Sequence, residues 1–306
     1  MTLTELRYIV AVAREKHFGR AAEACFVSQP TLSVAIKKLE EELDVKLFER
    51  GGAEVSVTPL GDEIVRQAQQ VLEQAQAIKE IAKRGKNPLA GPLRLGIIYT
   101  IGPYLLPELV KHAIAQTPQM PLMLQENFTV KLLEMLRTGE LDCAIMAEPF
   151  PDTGLAIAPL YDEPFAVAVP VHHPLAQRQA ISAEELKAET MLLLGNGHCF
   201  RDQVLEVCPE FARFSSQTEG IRKSFEGSSL ETIKHMVASG MGITVVPVLS
   251  IPKEPSEHVR YIPFIPPAPT RRVVLAWRRS FPRYEAIAAL RNAVYACKLN
   301  GVERLS

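Results

Sequence analysis

"FGRAAEACFVSQPTLSVAIKKLEEEL", residues 18–43, carries small apolar side chains at Ala21, Ala22 and Ala24, breaks at Phe26-Val27-Ser28, and resumes with Leu32, Ile36, Leu39 and Leu43. That spacing predicts two helices joined by a tight turn, the second of them amphipathic. Ser28 is placed to cap the second helix, and Pro30 is tolerated in a first turn whose N–H groups have no helical acceptor. The outward side of that helix offers Gln29, Thr31 and Ser33, then Lys37 and Lys38. Short polar groups at a helix start suit phosphates and base edges, and a glutamine pairs bidentately with adenine. Two readings follow: an ordinary helical hairpin, or a helix-turn-helix whose reading helix covers about residues 29–40. Residues 1–88 hold equal numbers of basic and acidic side chains. Phosphate contacts must therefore come from a local patch, doubled in a dimer.

The next stretch opens with Thr58 as a helix cap and Pro59 in the first helical position. Ile64, Ala68, Val71, Ala75, Ile78 and Ala82 then alternate at four and three residues, the spacing of a seam that takes a partner helix. The other reading is a single amphipathic helix lying on its own domain. Two reading helices held on a symmetric pair of such helices would fit a pseudo-palindromic site in double-stranded DNA. Pro88-Leu89-Ala90-Gly91-Pro92 breaks the helical pattern and marks a linker.

Beyond it the pattern alternates. LRLGII, PLMLQENF, DCAIMAE, FAVAVP, TMLLLG, GITVVP and RRVVLAW read as strands, separated by helical stretches such as LLPELVKHAIA, VKLLEMLR, AEELKAE, LETIKHMVASG and YEAIAALRNAVYAC. Such alternation predicts an α/β domain with a mainly parallel sheet. Open α/β sheets bind ligands beyond the carboxyl ends of their strands, where Thr100 and Thr129 fall. Each threonine also reads as a plain helix cap, and the two roles are compatible.

Composition sets the frame for these parts. The chain has 306 residues, 47% of them hydrophobic, and a formal charge of −1, the signature of a soluble protein of two or three domains. Its start lacks the ordered regions of a signal peptide. Its longest apolar runs, MGITVVPVL and FAVAVPV, are shorter than a membrane span, so a cytoplasmic protein with no membrane partner is expected. Five cysteines in a long chain do not form a disulfide framework. No Gly-Lys phosphate loop, HExxH or legible Ser-His-Asp set appears, and no cofactor or metal is expected.

Cys25, Cys143 and Cys297 read as small buried hydrophobes. "GNGHCFRDQVLEVC", residues 195–208, is different. Cys199 opens a helix, where unpaired N–H groups favour thiolate, with His198 and Arg201 nearby. A thiolate oxidised to sulfenic acid can be captured by a second thiol, and Cys208 is the candidate. If the segment stays helical, nine steps separate the two Cα atoms by roughly 13 Å, whereas a disulfide needs about 4.4–6.8 Å. The bond would require unwinding. Metal binding by His198, Cys199 and Cys208 is the weaker reading, because the spacing matches no zinc motif.

The run RAAEACFVSQPTLSVAIKKLEEELDVKLFER followed by VTPLG resembles the N-terminal signature of LysR-type transcriptional regulators, and the three-part organisation extends the resemblance over nearly the whole chain. It implies an all-α winged helix-turn-helix domain (1–58), a dimerising linker helix (59–87) and an α/β regulatory domain of periplasmic-binding-protein type (88–306). Its two subdomains would comprise about 92–163 with 268–300, and about 164–267. DNA contacts fall on Ser28, Gln29, Pro30, Thr31, Ser33, Lys37, Lys38 and Arg50. Family wings often carry basic residues where this chain has Gly51-Gly52-Ala53-Glu54, which puts wing contacts beyond Arg50 in doubt.

GHCFRDQVLEVC, with TIGPYLLP and PAPTRRVVLAW, is similar to the peroxide-sensing members of that family. The similarity implies Cys199 as the thiol that meets hydrogen peroxide and Cys208 as the thiol that resolves it. Thr100, Thr129 and His198 would position peroxide, and Arg271, or Arg272 in another strand register, would favour the thiolate. Homodimers pairing into homotetramers, and contact with RNA polymerase, follow from the family alone. The alternatives are a regulator answering a metabolite in the cleft between the subdomains, and a thiol peroxidase, for which a helix-turn-helix has no purpose.

Overall fold

The computed structural model describes residues 1–49, 55–83, 89–151, 154–209, 226–227 and 229–305. Arg50 and the tetrad 51–54 lie outside the described residues, as does the side chain of Ala82.

Helices Leu3–Glu15 (α1), Phe18–Ala24 (α2) and Gln29–Leu43 (α3) form the N-terminal domain. Ser28 caps α3, accepting from the Thr31 N–H at 3.3 Å, with Pro30 in the first turn. The interior stripe Leu32, Ile36 and Leu39 is fully buried, which stabilises the helix by about 1.5–3 kcal/mol per side chain. Asp44, in the left-handed region at φ 52°, ends it. Strands Phe48–Glu49 (β1) and Ser56–Val57 (β2) pair antiparallel as the base of a wing. Buried Glu40 holds that base to α3, accepting from the N–H groups of Leu47 at 2.7 Å and Phe48 at 3.3 Å.

Helix Pro59–Lys83 (α4) is capped by Thr58, whose Oγ1 accepts from the Gly61 N–H at 2.9 Å. Ile64, Ala68 and Leu72 pack on the N-terminal core, so the first part of the expected dimer seam is spent within the chain. Val71 and Ile78, 37% and 70% exposed, stay open one heptad apart, and Ala75 is half-buried. The seam departs from expectation because α4 first has to cover α1. On another side, α4 meets the regulatory domain through Asp62, in its first turn, with Arg137 at 2.6 Å, and through Glu73 with Arg278, a buried pair.

The regulatory domain contains Leu93–Ile98 (β3), Gly102–Gln116 (α5), Leu122–Asn127 (β4), Thr129–Arg137 (α6), Cys143–Ala147 (β5) and Leu155–Pro170 (β6). Leu193–Leu194 (β7), Cys199–Val207 (α7), Glu226–Gly227 (β8), Leu230–Ala238 (α8) and Thr244–Pro247 (β9) follow. Val259–Pro263 (β10), Thr270–Arg278 (β11), Tyr284–Ala296 (α9) and Glu303–Arg304 (β12) complete it. The path of the main sheet is β10-β6-β11-β5-β3-β4, with β9 and β12 also paired to β6.

Only β4 and β5 run parallel to β3 within this sheet; the pairs made by β6 and β11 are antiparallel. The sheet is therefore mixed, against the expectation of a mainly parallel one. The reason is β6, of which only the FAVAVP half is legible as a strand. Its first half pairs with β11 through Thr270↔Pro164, and its second half pairs with β9 and β10 from Phe165 onward. One strand thus serves two subdomains, each with its own buried core: subdomain I around β3, β5 and β11, and subdomain II around β9, β10 and α8. AEELKAE forms only a short 3-10 turn at Ala183–Leu186, and TMLLLG only the two-residue β7.

Candidate functional site

Helix α7 belongs by packing to subdomain II, where Phe200, Val204 and Cys208 are buried. It begins at Cys199, directly after Gly197 in the left-handed region at φ 97° and the cap residue His198. A Cβ on Gly197 would come within 3.3 Å of the Phe128 ring, so glycine suits both the backbone and the close approach. Cys199 itself packs across the subdomain boundary, on the core of subdomain I. Two bonds seat the helix: Arg201 Nη1 donates to the Leu194 carbonyl at 2.8 Å, and Gln203 Nε2 to that of Glu148, also at 2.8 Å.

Thr100, Thr129, His198 and Cys199 converge with Ile98, Tyr99, Asn127, Phe128 and Gly197 around one small cavity of about 10 Å³. That is room for about one water-sized molecule. Neither threonine caps a helix, contrary to the simpler expectation: Ile101 caps α5, and Thr129 is the first residue of α6 after Phe128. The buried Thr129 Oγ1 has no hydrogen-bond partner among the described residues. A buried hydroxyl left unsatisfied costs about 1–3 kcal/mol. This orphan is the strongest sign that the cavity takes a polar guest.

Buried His198 is held edge-on by Phe128, ring centres 4.8 Å apart, and by Tyr99 at 5.9 Å. Tyr99 and Phe128 also contact each other at 5.2 Å. The two rings are each partly exposed, whereas the histidine they contact is buried.

Behind Thr100 stands Arg271, 2% exposed. Its Nη1 donates to Thr100 Oγ1 at 2.8 Å and its Nη2 to the Thr100 carbonyl at 2.9 Å. Glu163, fully buried, pairs with it, and its guanidinium lies 5.1 Å from the centre of the Phe200 ring. Arg272 points the other way and pairs with Asp162 near the surface. The alternation of side chains along a strand separates these neighbours, and the register Arg271↔Glu163 decides which faces inward.

The remaining cysteines differ from Cys199 in their surroundings. Burial raises the thiol pKa of Cys143 far above its ordinary value, pushes Cys297 up to about 11 and raises that of half-buried Cys25. Such thiols ionise poorly and make poor nucleophiles. Cys208 is 1% exposed and caps the far end of α7, which also keeps it from sharing a metal with His198 and Cys199.

A latch crosses the cleft between the subdomains. Tyr104 on α5 donates to Glu231 on α8 at 2.6 Å, and Lys234 donates to the same carboxylate at 2.9 Å and to the Ser250 carbonyl at 2.7 Å. Sequence reasoning missed Tyr99, Phe128, Glu163, Gln203 and this latch. The only local sign for Glu163 is a carboxylate at the head of the apolar run PFAVAVP.

In the N-terminal domain, Gln29, Pro30, Thr31, Lys37 and Lys38 are exposed on α3, and Ser33 is half-buried. The Ser28 hydroxyl is engaged by Thr31 at 2.8 Å. Val34, 68% exposed between them, also escaped the sequence reading. An exposed apolar side chain on such a helix matches a thymine methyl.

Comparison with known proteins bears on both domains. Residues 3–62 match the family model for bacterial regulatory helix-turn-helix proteins of the lysR family, and residues 86–296 that of the LysR substrate binding domain. The hydrogen peroxide-inducible genes activator of Pectobacterium carotovorum is 41% identical over 292 residues, covering 94% of this chain and 95% of its own. Among solved structures, a cysteine-to-aspartate variant of full-length OxyR from Pseudomonas aeruginosa superposes with a TM-score of 0.82 at 51% identity, covering 100% of this chain and 99% of that one. An H2O2-bound cysteine mutant of Corynebacterium glutamicum OxyR gives a TM-score of 0.63 at 36% identity, covering 96% and 91%.

Proposed function

The chain belongs to the LysR family and is a transcriptional regulator that senses hydrogen peroxide, and we propose that Cys199 is the thiol that meets the oxidant. The observation that carries this reading is the small cavity beside Cys199, edged by the orphan hydroxyl of Thr129 and the Arg271-held hydroxyl of Thr100. The thiolate attacks one peroxide oxygen, the O–O bond breaks, and hydroxide leaves; the attacked oxygen keeps its hydrogen as a sulfenic acid. The thiol of Cys208 then displaces that oxygen as water and leaves a disulfide. A larger metabolite would have to displace the Tyr104–Glu231 bond and the Arg271–Glu163 pair to enter the same cleft.

On this reading the protein works as a stoichiometric switch rather than as an enzyme. The reading helix meets double-stranded DNA through Gln29, Pro30, Thr31, Ser33, Lys37 and Lys38, and Ser28 sets the first turn. Val71 and Ile78, the open part of the α4 seam, meet their counterparts in a homodimer. Pairing into tetramers and contact with RNA polymerase are inferred from the family alone.

The test is mass spectrometry of the reduced protein after brief, near-stoichiometric peroxide, with free thiols alkylated before digestion. A rapid disulfide between Cys199 and Cys208, absent from a Cys199→Ser chain, is expected. Slow oxidation spread over the five cysteines would overturn the reading.

A further inference from the structure

Glu163 is 0% exposed, yet the chemistry described so far gives it no part. Its two carboxylate oxygens have separate partners. Oε2 accepts from Arg271 Nε at 2.9 Å, and Oε1 accepts from the Leu249 N–H at 2.9 Å. Held in this way, the guanidinium turns its outer nitrogens to Thr100, bonding both the hydroxyl and the carbonyl oxygen. Arginine cannot accept a hydrogen bond, so in the Arg271–Thr100 contact the threonine hydroxyl must be the acceptor. Its own proton is left to point elsewhere, and Thr100 lines the cavity beside Cys199 and Thr129.

Resting on the peroxide reading, we propose that Glu163 is a positioning residue which, through Arg271, fixes the direction in which Thr100 donates, so that its proton faces the departing peroxide oxygen. When the Cys199 sulfur forms its bond to the near oxygen, the O–O electron pair collects on the far one, which leaves as hydroxide and takes its proton from solvent. A donor already aimed at the place where charge develops stabilises that step without reorganising. Glu163 touches neither sulfur nor peroxide. Its effect travels through two hydrogen bonds, and the Leu249 N–H, in the short turn after β9, holds the other carboxylate oxygen.

Glu163→Gln tests this in the full-length protein. A glutamine has one acceptor oxygen and one amide nitrogen, so either Leu249 or Arg271 would meet a donor instead of an acceptor. Two rates are measured at the same pH: oxidation of Cys199 by hydrogen peroxide and its alkylation by iodoacetamide. Alkylation follows thiolate fraction and access but needs no oxyanion donor. Oxidation is expected to slow about ten- to a hundredfold, the scale of loss from a misplaced group, while alkylation, which needs neither Glu163 nor the Thr100 proton, changes by less than about threefold. In combination with Thr100→Val, which removes the hydroxyl through which Glu163 acts, Glu163→Gln should slow oxidation no further.

Equal slowing of both reactions, or additive losses in the double variant, would overturn the inference. Should the Glu163→Gln chain fail to fold, Arg271→Lys carries the same test. A lysine keeps the charge beside Glu163 but lacks the planar fork that spans Glu163 and Thr100. The same selective loss is expected, and a native oxidation rate would sink the idea. Native protein in which Cys199 oxidises no faster than Cys25, Cys143 or Cys297 overturns the sensing reading and this inference with it. Selective oxidation of Cys199 in the native protein, at a rate that Glu163→Gln leaves unchanged, overturns the inference alone.

Discussion

Cys199 and Cys208 stand at the two ends of one helix and in two different interiors: the first packs on the core of subdomain I, the second is buried in that of subdomain II. Helix geometry holds them roughly 13 Å apart. Joining them means unwinding α7 and pulling at least one sulfur out of its packing. Amide exchange over residues 200–207 should therefore quicken on oxidation and stay slow in an equally treated Cys208→Ser chain. A disulfide formed with unchanged protection would contradict this account.

Thr129→Val removes the orphan hydroxyl and keeps its shape. Stability in urea should hold or rise by up to about 1 kcal/mol, because an unsatisfied polar group is replaced by an apolar one. Peroxide oxidation of Cys199 should slow by about tenfold, since one hydrogen-bond donor to the guest is lost. Loss of stability with unchanged oxidation would remove Thr129 from the pocket chemistry.

The cleft latch gives acid sensitivity a definite sign. Burial by itself would raise the pKa of Glu231, but the bonds from Tyr104 and Lys234 outweigh it, and the net shift is downward from the ordinary 4.5. A carboxylate with a depressed folded-state pKa adds stability that is fully present above its unfolded value and is lost as pH falls through the folded one. Glu231→Gln should thus flatten the part of the acid unfolding curve below about pH 4.5 and leave the neutral branch parallel to wild type. An unchanged acid limb would show that the latch contributes nothing.

Glu73 on α4 pairs with Arg278 where the linker helix crosses the regulatory domain, and both are mostly buried. Burial lowers the pKa of Arg278, while the charge of Glu73 works in the opposite sense. Glu73→Ala leaves that cation without its counter-ion and should cost about 3–5 kcal/mol in urea unfolding of the full chain. A loss below about 1 kcal/mol, the range of exposed pairs, would mean that water replaces the carboxylate.

On DNA, Gln29→Ala should cost about 1–3 kcal/mol of discrimination at one base pair. Lys37→Ala and Lys38→Ala should each weaken binding across all sequences and reduce the salt slope by about 1. Binding isotherms at several salt concentrations, on operator and scrambled DNA, separate the two kinds of effect. A lysine variant that changes sequence preference would revise the assignment of roles along α3.

The parts of this molecule that announce themselves in sequence are those closed by local rules. Ser28 and Thr58 cap their helices through side-chain bonds to an N–H three residues on, so both starts are written in a few neighbouring letters. Helix α7 likewise begins just after the Gly-Asn-Gly run 195–197 ends. What depends on distant pairing is silent. LAIAPLYDEP carries prolines and two carboxylates and does not look like half of a 16-residue strand, yet β11 makes it one. The inward turn of Arg271 rather than Arg272 is a matter of register against Glu163, 108 residues away. The α4 seam looked continuous because period alone does not distinguish packing on α1 from packing on another chain.

Strand β6 has a mechanical consequence. Two lobes joined by slack crossings can close like a clam shell around a hinge. Here one of the two crossings, β6, is a continuous ribbon, bonded to β11 on one side of the boundary and to β9 and β10 on the other; the return crossing is the short segment 264–269. Bending it would tear rungs from both lobes together, so the lobes keep their mutual angle much as two plates riveted to one beam. On the proposed function, oxidation at Cys199 is therefore expected to change the surface relief around α7 rather than the angle between the lobes.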